Sequence, residues 1–302
     1  MTRTTTGDDD FHPDLRRFAR LLPRSAFNRR TLPVMKVLTR PLKFVPPLKG
    51  TEVLTLPSGA GVRLHRPAVD RHAGAALLWI HGGGYVIGTA AQDDSMCRRF
   101  SQRLGIPVVA IDYRLAPKHP YPAALEDCYE ALTWLSQLSG IDSTRIIIGG
   151  ASAGGGLTAA LALLARDRGE GAPLFQLLVY PMVDDRSSDR VPDDPRYRMW
   201  TPRTNRLGWQ AYLRGADPLV AVPARRDDLS GVAPAWVGVG TLDPLYDEDV
   251  EYARRLIEAG VACEVDTIPG AFHGFDMVTP WAGVSQAFFD RQCDVLDEVL
   301  NG

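Results

Sequence analysis

One stretch near the middle of the chain reads Ile146-Ile147-Ile148-Gly149-Gly150-Ala151-Ser152-Ala153-Gly154-Gly155-Gly156. An apolar, β-branched run leads into glycines and one serine, and the helix-forming run 157–165 follows. This order predicts a strand, a sharp turn and a helix, with Ser152 at the tip of the turn. Residues 150–154 fit the pattern Gly-x-Ser-x-Gly, in which the glycines let the strand and the helix pass closely beside the serine. The alternative is a glycine-rich turn whose serine has no role.

A second glycine run supports a role for Ser152. The sequence His81-Gly82-Gly83-Gly84-Tyr85 follows the apolar run 75–80, which also reads as a buried strand. Consecutive glycines leave backbone N–H groups free to face a developing negative charge. Such donors, together with the N–H after a nucleophilic serine, form an oxyanion hole. A flexible hairpin loop, the alternative interpretation, does not explain why both glycine runs follow apolar strands.

Composition excludes several classes of protein. The chain has 302 residues, of which 45% are hydrophobic and 23% charged, and its net charge is −2. This suits one large α/β domain, or a domain with an insertion, and gives no indication of nucleic-acid binding. The four cysteines are scattered, so we expect free, mostly buried thiols, with no metal site and no cofactor.

Targeting signals are also missing from the sequence. The first ten residues lack the apolar core of a signal peptide, and no apolar run approaches the ~18–20 residues of a membrane span. We therefore expect a soluble, cytoplasmic protein without a membrane partner. A homodimer stays possible.

Strand-like and helix-like segments alternate along most of the chain. The predicted strands are 52–56, 62–66, 75–80, 107–112, 145–148, 174–179, 235–240 and 263–268. The predicted helices are 93–104, 123–139, 153–168, 204–214, 247–259 and 283–300. This rhythm predicts an α/β fold with a mostly parallel central sheet and helices on both of its faces.

Two segments break the rhythm, and we interpret both as a helical cap. Residues 1–49 form an N-terminal cap segment, and residues 184–228, rich in charge, proline and aromatic residues, form a cap insertion. The catalytic domain is then 50–183 together with 229–302. From residue 11 to 49, basic and apolar residues interleave at helical spacing, which predicts one or two short amphipathic helices broken at Pro23 and Pro33. A membrane-surface helix is conceivable, but we favour a lid that packs on the main domain, because the prolines shorten any continuous apolar face.

A nucleophilic serine needs a base and an acid that holds the base. In α/β-hydrolases the chain order is serine, acid, histidine. Of the six histidines only His273 follows Ser152, and it stands just beyond a predicted strand. Asp243, three residues after the strand 235–240, is the best-placed acid. Asp247 and Glu248 are its rivals, although their position suits the first turn of the next helix.

These motifs resemble those of the bacterial hormone-sensitive-lipase-like (family IV) carboxylesterases, an α/β-hydrolase family, over nearly the whole chain from about residue 75. The matching pieces are His81-Gly82-Gly83-Gly84, Asp112-Tyr113-Arg114-Leu115-Ala116-Pro117, Pro120-Tyr121-Pro122-Ala123-Ala124, Ser152-Ala153-Gly154-Gly155, Asp243-Pro244-Leu245 and His273-Gly274-Phe275. The resemblance implies a catalytic triad of Ser152, Asp243 and His273. It also implies an oxyanion hole formed by the N–H groups of Gly83, Gly84 and Ala153. Two departures, Ala151 and Lys118, stand where the family usually has acidic residues.

The expected function is hydrolysis of small, short-acyl carboxylic esters through an acyl-serine intermediate. An amidase or aryl-amide hydrolase with the same triad is one alternative, and a non-catalytic small-molecule receptor on the same fold is another. Bulky side chains of the cap segments are expected to cover the substrate pocket. These side chains are Phe11, Phe18, Phe27, Trp200, Trp209 and Tyr212. We predict that Tyr85, Trp209 and Tyr212 bind the substrate.

Overall fold

Eight strands form one sheet in the computed structural model of the chain, which describes residues 10–39, 46–169 and 171–302. The strands are β1 (Thr51–Thr55), β2 (Gly61–His65), β3 (Gly74–Ile80), β4 (Val108–Asp112), β5 (Ile141–Ala151), β6 (Phe175–Val179), β7 (Ala235–Leu242) and β8 (Cys263–Phe272). Their order across the sheet is β1-β2-β4-β3-β5-β6-β7-β8. Only the pairs β1/β2 and β2/β4 are antiparallel. The predicted mostly parallel sheet is confirmed.

Both faces of the sheet are buried, and strand β3 shows why its sequence is apolar throughout. Ala76, Leu78 and Ile80 belong to one hydrophobic cluster, whereas the alternating residues Leu77 and Trp79 belong to a second cluster on the other side. Successive strand side chains point to opposite faces. A strand covered on both sides therefore reads as a continuous apolar run.

Helices cover the two faces. The longer ones are α3 (Asp94–Leu104), α4 (Ala123–Ser136), α5 (Ala153–Arg168), α9 (Tyr246–Glu258) and α11 (Gly283–Asn301), and the one-turn helix α10 (Phe275–Val278) precedes α11. Buried residues of α4, α5 and α9 join the first cluster, and those of α3 and α11 join the second. The predicted three-layer α/β architecture is confirmed. Among the described residues, no helix combines the length and the apolar character that crossing a bilayer requires.

Three strands run well beyond their predicted ends. Strand β5 extends past the predicted 145–148 in both directions, and the extra length of β7 and β8 positions the site. The sequence predicts that β7 ends at Gly240 and that β8 ends at Ile268, just before Pro269 and Gly270. In the structure the pairing shifts register after Gly240 and resumes with Leu242 opposite Phe272. The next residues of the two strands, Asp243 and His273, consequently leave the sheet side by side.

The N-terminal segment contains two short helices, α1 (Arg16–Ala19) and α2 (Leu32–Thr39). The prediction that Pro33 breaks a helix is wrong, because Pro33 is the second residue of α2, in the first turn, where a missing N–H is tolerated. Of the apolar stripe that is expected to pack on the main domain, Leu15 and Phe27 are buried. Helix α2 has no fully buried residue and packs through its partly buried face alone. Residues 1–9 and 40–45 of the predicted cap segment lie outside the described residues.

The stretch 184–228 contains helices α6 (Ser187–Arg190), α7 (Pro202–Leu213) and α8 (Pro218–Ala221). Helix α7 matches the predicted helix 204–214 and begins after Thr201, whose side chain accepts a hydrogen bond from the Thr204 N–H. This stretch contacts the N-terminal segment directly. The Ala26 N–H donates to the Met199 carbonyl at 2.7 Å, and the Met199 N–H donates to the Pro23 carbonyl at 2.9 Å.

Candidate active site

Ser152 sits on the turn between β5 and α5 in a backbone conformation that most residues avoid. Its φ is 57° and its ψ is −120°, and its N–H donates to the Val179 carbonyl at 2.9 Å. A non-glycine residue with positive φ is strained and persists only where the surroundings enforce it. Here the neighbouring strand β6 and the start of α5 fix both sides of the turn. The predicted strand, turn and helix are confirmed.

The motif glycines are required by a close crossing of chains. A Cβ added to Gly150 would lie 2.6 Å from the carbonyl carbon of Gly154 and 2.7 Å from the carbonyl oxygen of Ile80. A Cβ added to Gly154 would collide with the same Ile80 oxygen. Real Cβ atoms do not approach backbone this closely, so only glycine lets α5 pass beside β3 and β5.

Two hydrogen bonds connect Ser152 to His273 and Asp243. The His273 Nδ1 atom lies 2.7 Å from Oδ2 of Asp243, and Nε2 lies 2.9 Å from Oγ of Ser152. A carboxylate only accepts, so Nδ1 carries the proton and Nε2 is left to accept the proton of the serine hydroxyl. All three side chains are buried. The arrangement can deprotonate Ser152 and hold the resulting imidazolium.

The carboxylate of Asp243 is itself held in place. Its Oδ1 accepts from the Leu245 N–H at 2.9 Å, while Oδ2 faces the imidazole. The two rivals proposed from the sequence lie elsewhere. Asp247 is exposed, and Glu248 is turned toward the loop after β6, where its Oε1 accepts from the N–H groups of Val183 and Asp184 at 2.8 and 3.1 Å.

Helix α9 also buries a carboxyl group that the sequence analysis missed. Neither oxygen of Asp249 has a hydrogen-bond partner among the described residues, and burial raises its pKa well above the usual value. Burial therefore disfavours the ionised form of Asp249. Helical spacing could have found it, because Asp249, Tyr252, Ala253 and Leu256 share the buried face of α9.

We expect Glu248→Gln to change how stability depends on pH. Burial raises the pKa of Glu248 from 4.5 to about 8. Between these pH values the folded protein keeps a proton that the unfolded chain has lost, so this group makes the protein less stable as pH rises. The stability of the variant relative to the native protein should increase from pH 5 to pH 8 in thermal unfolding. Glu251→Gln, an exposed position of the same helix, is the control, and an equal effect there would contradict the prediction.

The glycine loop after β3 supplies free N–H groups beside Ser152. Gly82 and Gly83 line the cavity at Ser152, and Gly83 has a φ of 122°. Among the described residues, no group accepts a hydrogen bond from the N–H of Gly83, Gly84 or Ala153. Ala153 is the first residue of α5, where backbone N–H groups have no partner within the helix. These N–H groups are available to an oxyanion.

A cavity of about 180 Å³ opens onto Ser152 and His273. Its walls are mainly apolar, and the side chains that form them include Phe27, Thr39, Tyr180, Met199, Trp200, Met277 and Val278. Trp200 meets Phe27 edge to face, with ring centroids 5.6 Å apart. Within residues 10–39, 46–169 and 171–302, no three histidine, cysteine, aspartate or glutamate side chains are grouped to hold a metal ion.

Three residues predicted to bind substrate are not in the wall of this cavity. Tyr85, Trp209 and Tyr212 are buried in the first hydrophobic cluster, where the rings of Tyr85 and Tyr212 stack with centroids 4.2 Å apart. The three rings pack against one another, and their contact with substrate stays a prediction. Of the expected cap aromatics, Phe27 and Trp200 do line the cavity. Tyr180 was missed, although its position directly after β6, at the carboxyl edge of the sheet, could have indicated it.

Comparison with known proteins decides the family. The family described as alpha/beta hydrolase fold matches residues 77–277, two thirds of the chain. This chain belongs to the α/β-hydrolase family. A relative in Pseudomonas putida, ethyl acetate hydrolase, is 40% identical over 226 residues, covering 71% of this chain and 70% of the relative. Carboxylesterase NlhH of Mycobacterium tuberculosis (strain CDC 1551 / Oshkosh) is 33% identical over 312 residues, covering 93% and 95% of the two chains.

Solved structures agree with these relatives. A bacterial heroin esterase superposes with a TM-score of 0.86 at 33% identity, covering 97% of this α/β-hydrolase chain and 98% of its own. The esterase LipW from Mycobacterium marinum gives a TM-score of 0.84 at 32% identity and covers 98% of both chains. The predicted membership among the hormone-sensitive-lipase-like carboxylesterases is confirmed.

Proposed function

We propose that this carboxylesterase hydrolyses small, short-acyl esters through an acyl intermediate on Ser152. The observation that carries the proposal is the continuous hydrogen-bonded path from Asp243 through His273 to the Ser152 hydroxyl, with distances of 2.7 and 2.9 Å. The esterase relatives support the same class of reaction.

In the first half-reaction, Oγ of Ser152 forms a bond to the ester carbonyl carbon while its proton moves to Nε2 of His273. The carbonyl oxygen becomes an oxyanion, for which the N–H groups of Gly83, Gly84 and Ala153 are the proposed donors. When the tetrahedral intermediate collapses, the bond to the alcohol oxygen breaks and His273 returns the proton to that oxygen. Asp243 holds the imidazole orientation throughout.

In the second half-reaction, water takes the place of the alcohol. His273 accepts a proton from the water, whose oxygen bonds to the acyl carbon, and the bond between that carbon and Ser152 Oγ breaks. The proton then returns to Ser152 and the carboxylic acid leaves. Every group in this cycle is a side chain or backbone N–H of the chain, so the proposal includes no cofactor.

The walls of the cavity support a short acyl group. The cavity of about 180 Å³ is smaller than the ~300–1,000 Å³ that is typical of small-molecule pockets. Its rim comes from two segments, since Ala26 and Phe27 precede α2 whereas Met199 and Trp200 precede α7. We propose that residues 1–49 and 184–228 act together as a cap on the catalytic domain 50–183 and 229–302.

We expect the rate of hydrolysis to depend strongly on acyl length. Over a series of p-nitrophenyl esters, kcat/KM should peak at about two to eight acyl carbons, because each added methylene contributes only ~0.8 kcal/mol while an overlong chain must displace the wall. Butyryl p-nitroanilide, measured beside p-nitrophenyl butyrate, tests the amidase alternative. A maximum beyond twelve carbons, or faster cleavage of the anilide, would contradict the proposal.

The state of the cysteines bears on the cellular compartment of the protein. All four cysteines are free, and Cys97, Cys128 and Cys293 are buried, as predicted. A chain that keeps its cysteines as thiols suits a reducing environment. We propose the cytoplasm.

A further inference from the structure

Helix α2 has two faces of different character. Residues 32, 35, 36 and 39 are partly buried against the protein, whereas residues 33, 34, 37 and 38 are exposed. These sets follow helical spacing, so the first marks an inner face and the second an outer face. On the inner face, Leu32 and Met35 pack on the first hydrophobic cluster.

The outer face is apolar throughout. Val34, Val37 and Leu38 are 57%, 70% and 64% exposed, and the fourth outer residue is Pro33. The single charged residue of the helix, Lys36, lies on the inner face, where its Nζ donates to the Ala116 carbonyl at 3.0 Å. Burial lowers the pKa of Lys36. A surface helix of a globular domain normally turns its polar face outward, whereas the outward face of α2 carries no polar side chain.

The charges next to α2 have one sign. Arg29 and Arg30 are exposed just before the helix, and residues 28–39 include no acidic residue. The chain as a whole carries a net charge of −2. An apolar face beside arginines matches a surface that is apolar inside and anionic outside, which is the character of a bilayer with anionic lipids.

Helix α2 also contributes to the wall of the candidate active site. Its last residue, Thr39, lines the cavity, and so does Met277. Four residues after Met277, Trp281 is 60% exposed and meets the ring of Phe18 edge to face at 5.6 Å. Exposed apolar side chains therefore lie on α2 and on residues 277–281, and both segments contribute a residue to the cavity wall.

We propose that the outer face of α2 docks on the surface of anionic lipid bilayers and brings the mouth of the cavity to that surface. The docking depends on α2 and its flanking arginines alone. The docked enzyme would then hydrolyse esters dissolved in the bilayer, and this second step rests on the proposed function as well.

A second copy of the chain fits this face less well. A stable dimer buries about 1,200–2,000 Å² in total, far more than three side chains of an eight-residue helix supply. A two-fold contact through α2 would also bring Arg29 and Arg30 of one copy close to those of the other.

Co-sedimentation with vesicles tests the proposal on the full chain. Anionic vesicles, made of phosphatidylcholine with about 30% phosphatidylglycerol, should bind the native protein. Vesicles of pure phosphatidylcholine should bind it much less. The double variant Val37→Gln/Leu38→Gln should bind the anionic vesicles at least about tenfold more weakly. Arg29→Gln/Arg30→Gln should remove most of the preference for the anionic lipid. The matched control is Leu219→Gln/Val220→Gln on α8, a similarly exposed apolar pair that should leave binding unchanged.

The outcomes separate docking from catalysis. No binding of the native protein, or an equal loss in the α8 control, would overturn the proposal. So would a dimer in light scattering that the α2 variant abolishes, because a second copy would then cover the face. Hydrolysis of dissolved p-nitrophenyl butyrate should be unchanged in the α2 variant. If that ester is not hydrolysed by the native protein, the proposed function fails while the docking result stands.

Discussion

Replacing Ser152 with alanine is expected to lower kcat/KM for p-nitrophenyl butyrate by about 10⁴–10⁶-fold. The hydroxyl lies 2.9 Å from His273 Nε2, and in its absence no nucleophile stands at the base. The fold should survive, because the substitution removes one oxygen atom and keeps the backbone N–H that donates to Val179. Circular dichroism and the melting temperature should therefore match those of the native protein.

Ser101→Ala is a matched control for this variant. Ser101 is also buried, but its hydroxyl donates to the Ile106 carbonyl at 2.8 Å, away from the cavity. Loss of that hydrogen bond should lower stability by about 0.5–1.5 kcal/mol and leave kcat/KM unchanged. A Ser152→Ala protein that keeps a tenth of the native rate would show that another residue is the nucleophile.

Replacing Asp243 with asparagine is expected to lower kcat by about 10⁴-fold. An amide that offers N–H to the imidazole favours the tautomer with its proton on Nε2, which can no longer accept the proton of Ser152. Asp247→Asn, at an exposed position on the next helix turn, should change kcat little. The measurement is kcat of both variants and of the native protein with p-nitrophenyl butyrate.

Asp249→Asn is the sharper control, since Asp249 is a buried carboxyl of the same region. Neither oxygen of Asp249 has a hydrogen-bond partner among the described residues, so this carboxyl does not hold His273 and the kcat of Asp249→Asn should stay close to native. If Asp249→Asn or Asp247→Asn reduced kcat more than Asp243→Asn, the assignment of the acid would be wrong.

The architecture could be predicted because its signals are local. The β-branched run before Ser152 and the apolar run before His81 each specify a buried strand, and the glycines specify the turns. The ends of β7 and β8 could not be predicted. The predicted strands end at Gly240 and Ile268, whereas pairing with the neighbouring strand carries the ladder on to Leu242 and Phe272. Tertiary pairing overrides local propensity there.

The site was predictable to the extent that its chemistry constrains residue types. His273 is the single histidine after Ser152, so the order of the triad left one base. No such rule specifies which aromatic side chains reach the cavity. Trp200 lines it and Trp209 does not, although both belong to the same stretch, because helix α7 turns Trp209 toward Tyr85.

The structure also separates two halves of the N-terminal segment that the sequence presents alike. Leu15 and Leu38 both belong to an apolar stripe among basic residues, yet Leu15 is fully buried and Leu38 is mostly exposed. Periodicity indicates that a helix has an apolar face, but the surrounding fold decides whether that face is covered.

Covalent labelling tests the central claim, that Ser152 is a nucleophile activated by His273, most directly. A p-nitrophenyl alkylphosphonate should form one bond between its phosphorus and the serine Oγ, and release p-nitrophenol. Peptide mass mapping is expected to place the single adduct on Ser152 of the native protein, with none on Ser152→Ala and a far slower reaction for His273→Ala. An adduct on another residue, or equal labelling of the Ser152→Ala protein, would contradict the account.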